Sequence, residues 1–382
     1  MAGPALAVAG LSVRMVAEEA AHEGFGVIAA DVFGDADTRR ASVQWQRIGP
    51  PGGLHIEPAS VLAWLETLAA REGVLGWVAG GGFEGLPDLL ERGAAVLPLL
   101  GTPPAAVRRV RDPATFFGFL ERRGIAYPEV RWSHPAEEGW LLKDSRGSGG
   151  WHIRRPTANG GHPALPAHHY AQREMAGTPM SATFVANGRE ALVLGFNELI
   201  VRELAGRPCV YCGVVGPVPV PAAVAAGIGA ALQALAAEFS LCGLGSLDFM
   251  RDGERWGVLE VNPRPSASLF LYAGHTDPGI MHAHVGACLR GELPSLVPVP
   301  TPPQPVSGNE IVFARRPLVL GTAAIDRLAA WPQVHDVAAA PTAFEAGEPV
   351  CSVGACGNDA RDVRQRLEAA RLDLLQELET LT

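Results

Sequence analysis

An acidic residue, an asparagine and an arginine mark the most chemically suggestive run of the chain. Leu259-Glu260-Val261-Asn262-Pro263-Arg264-Pro265-Ser266 reads as a strand running into a turn. Along a strand, residues i and i+2 point the same way. Glu260 and Asn262 therefore share one face, while Leu259 and Val261 take the other. Asp248 precedes them in Gly245-Ser246-Leu247-Asp248-Phe249-Met250. Two carboxylates and an amide oxygen make a hard, oxygen-rich donor set suited to Mg2+. Arg264 adds a planar fork that grips a phosphate bidentately. Asp248 joins that face only when the cross-strand register sums to an even number. A two-residue turn at Asp252-Gly253 puts it on the wrong side. A three-residue loop Asp252-Gly253-Glu254, or a β-bulge, brings it back.

Lys143 is the only lysine among 31 basic residues; the other thirty are arginines. Lysine is a compact point charge and arginine a planar fork, so a site that kept lysine needs the first shape. A phosphate or a crowded catalytic pocket has that need. Asp144-Ser145-Arg146-Gly147-Ser148-Gly149-Gly150 follows directly, a glycine-rich turn beside a lone ammonium.

The elements that must position these groups form a mixed pattern. Residues 1–101 alternate strand and helix: strands at Ala5–Ala9, Gly26–Ala30, Val74–Ala79 and Ala95–Leu99, with helices after Ser12 and near Leu86–Arg92. This rhythm predicts a small doubly wound parallel sheet, with ligands at the carboxyl ends of its strands. Helices follow at Pro104–Val110 and Pro113–Arg123. Hairpins are expected for Trp140–Lys143 with Trp151–Arg155, and for Ser181–Ala186 with Ala191–Phe196 through an Asn187-Gly188 turn. Another pairs Gly245–Met250 with Trp256–Val261. A helix covers Ala222–Glu238. Residues 293–306 are proline-rich and read as a linker. The tail, 307–382, reads as short strands and a closing helix from Asp359 to Leu381, capped by Asn358 or Asp359.

Taken together, Lys143 with its glycine loop, Asp248, and Glu260-x-Asn262-x-Arg264 resemble the ATP-grasp superfamily over about residues 100–290. Within it the chain is similar to ATP-dependent carboligases related to biotin carboxylase. Gly10-Leu11-Ser12-Val13-Arg14, Asp31-Val32-Phe33-Gly34-Asp35, Gly82-Phe83-Glu84 and Gly347-Glu348-Pro349-Val350 carry that similarity. The resemblance implies an α/β and α+β multidomain architecture. A doubly wound pre-ATP-grasp domain (1–101) precedes an ATP-grasp domain (102–292, lid about 125–175) and a small C-terminal α+β extension (307–382). It also implies roles. Lys143 touches the α- and β-phosphates of ATP, and the loop Ser145, Arg146, Gly147, Ser148, Gly149, Gly150 closes over them. Asp248, Glu260 and Asn262 hold Mg2+. Arg264 and Lys143 serve the chemistry, Arg264 at the γ-phosphate. Gln172-Arg173-Glu174-Met175 resembles the strand edge that receives adenine. Many relatives have an Asp-Lys pair early in the ATP domain. Here Asp112 is followed by Pro113, so Arg109 or Arg111 is the substitute. The His-Pro-Gly-Tyr-Gly run of biotin carboxylases is absent.

The implied reaction activates a carboxylate as an acyl phosphate, which an amine then attacks. Relatives make amide or peptide-like bonds in small metabolites and cofactors, C1 carriers among them. Small carboxylates and amines are thus the expected partners, together with a second copy of the chain, since relatives are often dimers. Two rivals share the pocket. Carboxylation through carboxyphosphate needs bicarbonate and no amine; a non-catalytic nucleotide-binding protein binds without turnover. A third, dinucleotide-dependent oxidoreduction, rests on Gly80-Gly81-Gly82-Phe83-Glu84-Gly85, which fits G-x-G-x-x-G. No acidic residue ends the next expected strand to hold a ribose, so a tight strand-to-helix turn near the acceptor substrate is favoured.

Other candidates have plainer readings. Cys209 and Cys212 sit in an apolar strand, as buried cysteines do. His282 and His284 read as packing or surface histidines before a metal pair. His152, beside the glycine loop, is the better candidate for ligand contact. Ser266 and Ser268 either orient the acceptor or satisfy turn backbone.

Bulk properties exclude some classes. A net charge of −9 argues against general nucleic-acid or anionic-membrane binding. The N-terminus lacks the basic region of a secretory signal. The apolar stretch Pro221–Ala237 is alanine- and glycine-rich, as soluble core helices are, and six scattered cysteines suit a reducing cytoplasm.

Overall fold

The computed structural model describes residues 3–50, 53–135, 137–156, 164–298 and 305–380. It opens with β1 (Ala5–Ala9), α1 (Arg14–His22), β2 (Gly26–Asp31), α2 (Ala36–Arg40), β3 (Gln44–Arg47), α3 (Pro58–Ala69), β4 (Val74–Ala79) and α4 (Pro87–Val96). The four strands pair in parallel in the order β3-β2-β1-β4. Side chains alternate along β1 and β2, so both faces are buried. Leu6, Val8, Val27 and Ala29 pack with Val16 and Ala20 of α1. Ala7, Ala9, Ile28 and Ala30 pack with Trp64, Leu65 and Leu89 of α3 and α4. The sheet is thus doubly wound, as the alternation predicts.

One strand differs from expectation. Ala95 and Val96 end α4, and Leu99 makes only an isolated bridge to Trp77. Pro98 has no N–H to donate, so a ladder cannot run through it. The fourth strand is instead β3, Gln44-Trp45-Gln46-Arg47, at the sheet edge.

Two helices follow, α5 (Pro104–Arg111) and α6 (Pro113–Arg123). Asp112 accepts from Thr115 N at 2.9 Å and caps α6. Next come β5 (Val130–Arg131), β6 (Trp140–Asp144) and β7 (His169–Arg173), an antiparallel sheet in the order β5-β7-β6. The expected hairpin of 140–143 with 151–155 is therefore corrected. Arg154 pairs with Leu142 only as an isolated bridge, and β7 is the strand beside β6. Gly149 and Gly150, with φ of +64° and +79°, turn the chain away before a ladder can form. Residues 136 and 157–163 of the expected lid lie outside the described residues.

The central sheet begins with β8 (Thr178–Asn187), β9 (Ala191–Leu204) and β10 (Arg207–Gly216). After α7 (Ala222–Phe239) come β11 (Cys242–Asp252) and β12 (Arg255–Asn262), a 3-10 helix (Ala267–Tyr272), β13 (Thr276–Asp277), α8 (Ile280–Arg290) and β14 (Ser295–Leu296). α7 is long and apolar enough by composition to cross a membrane. Its Val224, Ile228, Leu232, Leu235 and Phe239 pack here on Phe184, Leu247, Phe249 and Val261 of the sheet.

The tail adds β15 (Val306–Phe313), β16 (Leu318–Leu320), α9 (Thr322–Ala329), β17 (Val334–His335), β18 (Thr342–Phe344), β19 (Pro349–Gly357) and α10 (Ala360–Thr380). β15, β19 and β17 continue the central sheet, whose order is β12-β11-β8-β9-β10-β15-β19-β17. Asp359 caps α10 by accepting from Asp362 N at 2.8 Å. Val363, Leu367 and Leu374 of α10 bury against Val353 and Val312. Met1, Ala2, Leu381 and residues 299–304 of the proline-rich stretch lie outside the described residues.

Candidate active site

The register between β11 and β12 decides whether a metal site exists. Asp252 pairs with Arg255 across a two-residue turn, Gly253-Glu254, with Gly253 at φ +61°. Taken alone that turn puts Asp248 on the wrong face. A bulge at Leu259 then shifts the ladder: Phe249 pairs with Val258, but Asp248 pairs with Glu260. The bulge, not a longer loop, brings the two carboxylates opposite one another. It has a second effect that the alternation rule missed. Leu259 lines the same cavity as Glu260, whereas Val261 is buried in the core.

The cavity has a volume of about 950 Å³, near the top of the range for small-molecule sites. Lys143, Gln172, Asp248, Glu260, Asn262 and Arg264 all line it. Lys143 is buried, and its Nζ donates to Gln172 Oε1 at 2.6 Å. Burial lowers its pKa, while the negative charges of Glu260 and Asp248 pull upward. Asn262 Nδ2 donates to Asp248 Oδ2 at 3.0 Å. The Asp248 carboxyl is pushed up to about 7, first by burial and then by the charge of Glu260. Glu260 is half-buried and sits below its ordinary value, because Arg111, His152 and Lys143 surround it. A divalent cation held by these carboxylates would offset the repulsion that raises Asp248. The donor set of Asp248, Glu260 and Asn262 thus fits Mg2+ in chemistry. Among the described residues no cluster of three His, Cys, Asp or Glu side chains offers an alternative.

Three buried polar atoms near Lys143 and Glu260 have no partner among the described residues. Arg111 Nε, His152 Nδ1 and Gln172 Nε2 are all of this kind. Lys143 bonds Gln172, and its charge acts on both His152 and Arg111. Buried polar groups are normally satisfied; His152 and Gln172 line the cavity, and Arg111 lies behind it against Glu260.

The two arginines offered as lysine substitutes divide clearly. Arg109 is half exposed and pairs with Glu238 at 2.7 Å. Arg111 is buried: Nη1 meets Glu260 Oε2 at 2.9 Å, and Nη2 donates to Ser145 O at 2.7 Å and Gly147 O at 2.9 Å.

The glycine loop also divides. Ser148, Gly149 and Gly150 line the cavity, and Tyr211 N donates to Gly149 O at 3.0 Å. Ser145, Arg146 and Gly147 do not. Ser145 N donates to His168 O, Arg146 pairs with Asp144 at 2.8 Å, and Gly147 N donates to Asp144 O. Gln172, Arg173, Glu174 and Met175 all line the cavity. The backbone N–H groups of Arg173 and Glu174 are taken by Glu129 O and Gly139 O.

Arg264 is anchored from the N-terminal domain. Its Nη2 lies 2.6 Å from Glu84 Oε1, and Gly82 N donates to Glu84 Oε2 at 2.6 Å. Gly80, Gly81 and Gly82 line the cavity, with Gly81 packed beside the guanidinium. The glycine turn thus carries the acid that holds Arg264. Sequence reasoning missed that role of Glu84, along with the cavity positions of Ser181, Tyr211 and Leu259. A buried acid two residues past a glycine triplet was the one available signal. Cys209 lines the cavity and Cys212 is buried. His282 pairs with Glu23, and buried His284 has both ring nitrogens engaged, by Leu244 N and Leu100 O. Neither histidine offers a metal pair.

Residues 110–268 match the family model of the ATP-grasp domain. None of the curated proteins compared with the chain matches it. Its fold is similar to biotin carboxylase from Campylobacter jejuni, solved with β,γ-ATP: TM-score 0.68, 11% identity, 95% of this chain and 90% of that one covered. It is similar to N5-carboxyaminoimidazole synthase from Aspergillus clavatus, solved with ADP and 5-aminoimidazole ribonucleotide: TM-score 0.67, 14% identity, 98% and 99% covered. L-amino acid ligase from Bacillus licheniformis aligns with a TM-score of 0.65 at 12% identity, with 97% of each chain covered. The chain therefore carries an ATP-grasp domain, set behind a parallel α/β domain in the fold that biotin carboxylase shares.

Proposed function

We propose that the protein is an ATP- and Mg2+-dependent ligase that joins a small carboxylate to an amine through an acyl phosphate. The observation that carries this reading is the convergence of Lys143, Asp248, Glu260, Asn262 and Arg264 on one cavity of an ATP-grasp domain. Lys143 and the Ser148–Gly150 segment bind the phosphates. Arg111 braces the loop from behind. Asp248, Glu260 and Asn262 would hold Mg2+, whose charge offsets that of the phosphoryl oxygens. Gln172 to Met175 and Leu259 border the adenine.

A carboxylate oxygen of the first substrate attacks the γ-phosphorus, the bond to the bridging oxygen breaks, and ADP leaves. Arg264 steadies the charge on the transferred phosphoryl group. The amine nitrogen then attacks the acyl carbon, inorganic phosphate leaves, and the nitrogen loses a proton. Positioning and charge neutralisation supply most of the catalysis. A cytoplasmic place in cofactor or small-metabolite biosynthesis, and a homodimer, complete the proposal.

The test is ADP release measured across a panel of carboxylates crossed with amines, bicarbonate included. Carboxylate- and amine-dependent release supports the ligase. Release with bicarbonate alone supports carboxylation. Nucleotide binding without release under any condition sinks the catalytic reading.

A further inference from the structure

The cavity wall contains a line of hydroxyls and an amide that the ligase reading leaves unused. Asn197, Ser181, Asp248 and Glu260 are successive cross-strand neighbours on β9, β8, β11 and β12. Residues directly opposite in antiparallel strands share a face, so all four lie on the cavity side. Asn197 is fully buried behind the others. Tyr272, from the 3-10 helix after Arg264, donates its phenol proton to Asn197 Oδ1 at 2.7 Å. Gly195 leaves the space that the ring occupies: a Cβ there would lie 2.6 Å from it.

The phenol fixes the orientation of the Asn197 amide, and the hydroxyls extend outward from it. With Oδ1 occupied by the phenol, the amide donates through Nδ2 to Ser181 Oγ at 3.2 Å and Thr183 Oγ1 at 3.0 Å. A hydroxyl that accepts still has its own proton to give. Thr183 Oγ1 lies 2.8 Å from Ser268 Oγ, which lies 2.7 Å from Ser266 Oγ; when Thr183 donates along this line, Ser268 donates to Ser266, whose own proton is left for the cavity. Both branches end at the cavity, in Ser181 beside Asp248 and in Ser266, two residues past Arg264.

We infer that Ser181 and Ser266 form a donor pair for an anionic oxygen, the carboxylate that becomes the acyl phosphate, and that Asn197 and Tyr272 are the positioning residues that point both hydroxyl protons at it. The inference rests on the ligase reading and adds a carboxylate subsite to it. Asn197→Asp is a sharp probe. A carboxylate only accepts, so Ser181 and Thr183 must turn their protons inward and the line reverses.

Acetonylphosphonate, a stable mimic of an acyl phosphate in which CH2 replaces the bridging oxygen, is titrated by calorimetry into the protein saturated with Mg2+ and ADP. Wild type is expected to bind it. Ser266→Ala and Asn197→Asp should each weaken binding about tenfold or more, the scale of a lost hydrogen bond to a charged group. Ser266→Thr, which keeps the hydroxyl, should stay close to wild type, and the affinity for Mg2+-ADP should not change in any variant. Equal acetonylphosphonate affinity in wild type and Ser266→Ala overturns the inference, as does its failure to bind wild type that holds Mg2+-ADP. Failure of wild type to bind Mg2+-ADP at all has a different meaning: it removes the ligase reading itself. Should Asn197→Asp unfold, the two Ser266 variants carry the test alone.

Discussion

The Arg111 guanidinium bridges Glu260 and the glycine loop. One amino group lies 2.9 Å from Glu260 Oε2, and the other reaches Ser145 O at 2.7 Å and Gly147 O at 2.9 Å. A single buried cation therefore ties a proposed metal ligand to the backbone that leads into the Ser148–Gly150 segment. Its removal leaves two loop carbonyls without a donor and Glu260 without its nearest counter-charge. Arg111→Ala is expected to lower ADP formation by about 10²-fold, as loss of a preorganised charged donor does. Arg111→Lys should fall between, because one ammonium cannot reproduce the fork. Steady-state ADP release on the three proteins checks this. Full activity in Arg111→Ala would remove the bridge from the mechanism.

Gly150 and Gly149 should respond differently to the same methyl group. Both have positive φ, +79° and +64°, which costs any other residue about 1–2 kcal/mol. A Cβ at Gly150 would also lie 1.8 Å from Cys209 O, whereas at Gly149 the nearest atom is Trp151 Cδ1 at 3.5 Å. Gly150→Ala must displace the loop from β10; Gly149→Ala need not. ADP affinity should fall about tenfold or more in the first and only a few-fold in the second. Equal effects in a calorimetric titration would mean that this contact does not set the loop's position.

Much of this site was legible, and the exceptions have physical causes. The parity of the β11–β12 register follows from the need to bring Asp248 and Glu260 together, but not where the extra residue sits. Either turn or bulge satisfies it, and Leu259 looks like any core leucine. β3 escaped notice because Gln44-Trp45-Gln46-Arg47 lies on an edge, where one polar strand needs little apolar pattern. β7 escaped because the chain returns to β6 only after the glycine loop and the segment beyond it, and nothing local encodes that partner. Glu84 is the clearest case. Its role exists only across the interface, where Arg264 meets it, and no periodicity marks such a pair.

That Arg264–Glu84 contact yields a third expectation. Burial works against the Glu84 charge, but Arg264 and Arg111 hold it ionised and below its ordinary pKa. Glu84→Gln keeps the shape and removes the charge. Breaking one side of a buried pair costs about 3–5 kcal/mol, so the melting temperature should drop. Arg264 is then free to leave the position the transferred phosphoryl group requires. Turnover should fall more than ADP affinity, since the adenine side is untouched. An ADP affinity that falls as far as turnover would show that Glu84 supports the fold alone.

A fourth expectation concerns pH. His284 on α8 is fully buried; Leu244 N donates to its Nδ1 at 2.9 Å, and Nε2 lies 3.1 Å from Leu100 O. Burial depresses its pKa to about 4, against the pull of the Leu100 carbonyl. The unfolded chain titrates this group near the ordinary value of about 6.5. Between those values the unfolded state binds a proton that the folded state refuses. Stability from this group is therefore complete above pH ~6.5 and declines as pH falls toward ~4, by about 3 kcal/mol in all. His284→Gln should be less stable than wild type at pH 7, because a buried ring and its packing are lost. Its stability should nonetheless fall less steeply from pH 7 to pH 4, so the two curves converge. Urea unfolding at several pH values measures both. Parallel curves would show that His284 takes up its proton at the same pH in the folded and unfolded protein, against its two hydrogen bonds: Nδ1 must accept, and an imidazolium has no lone pair with which to do so.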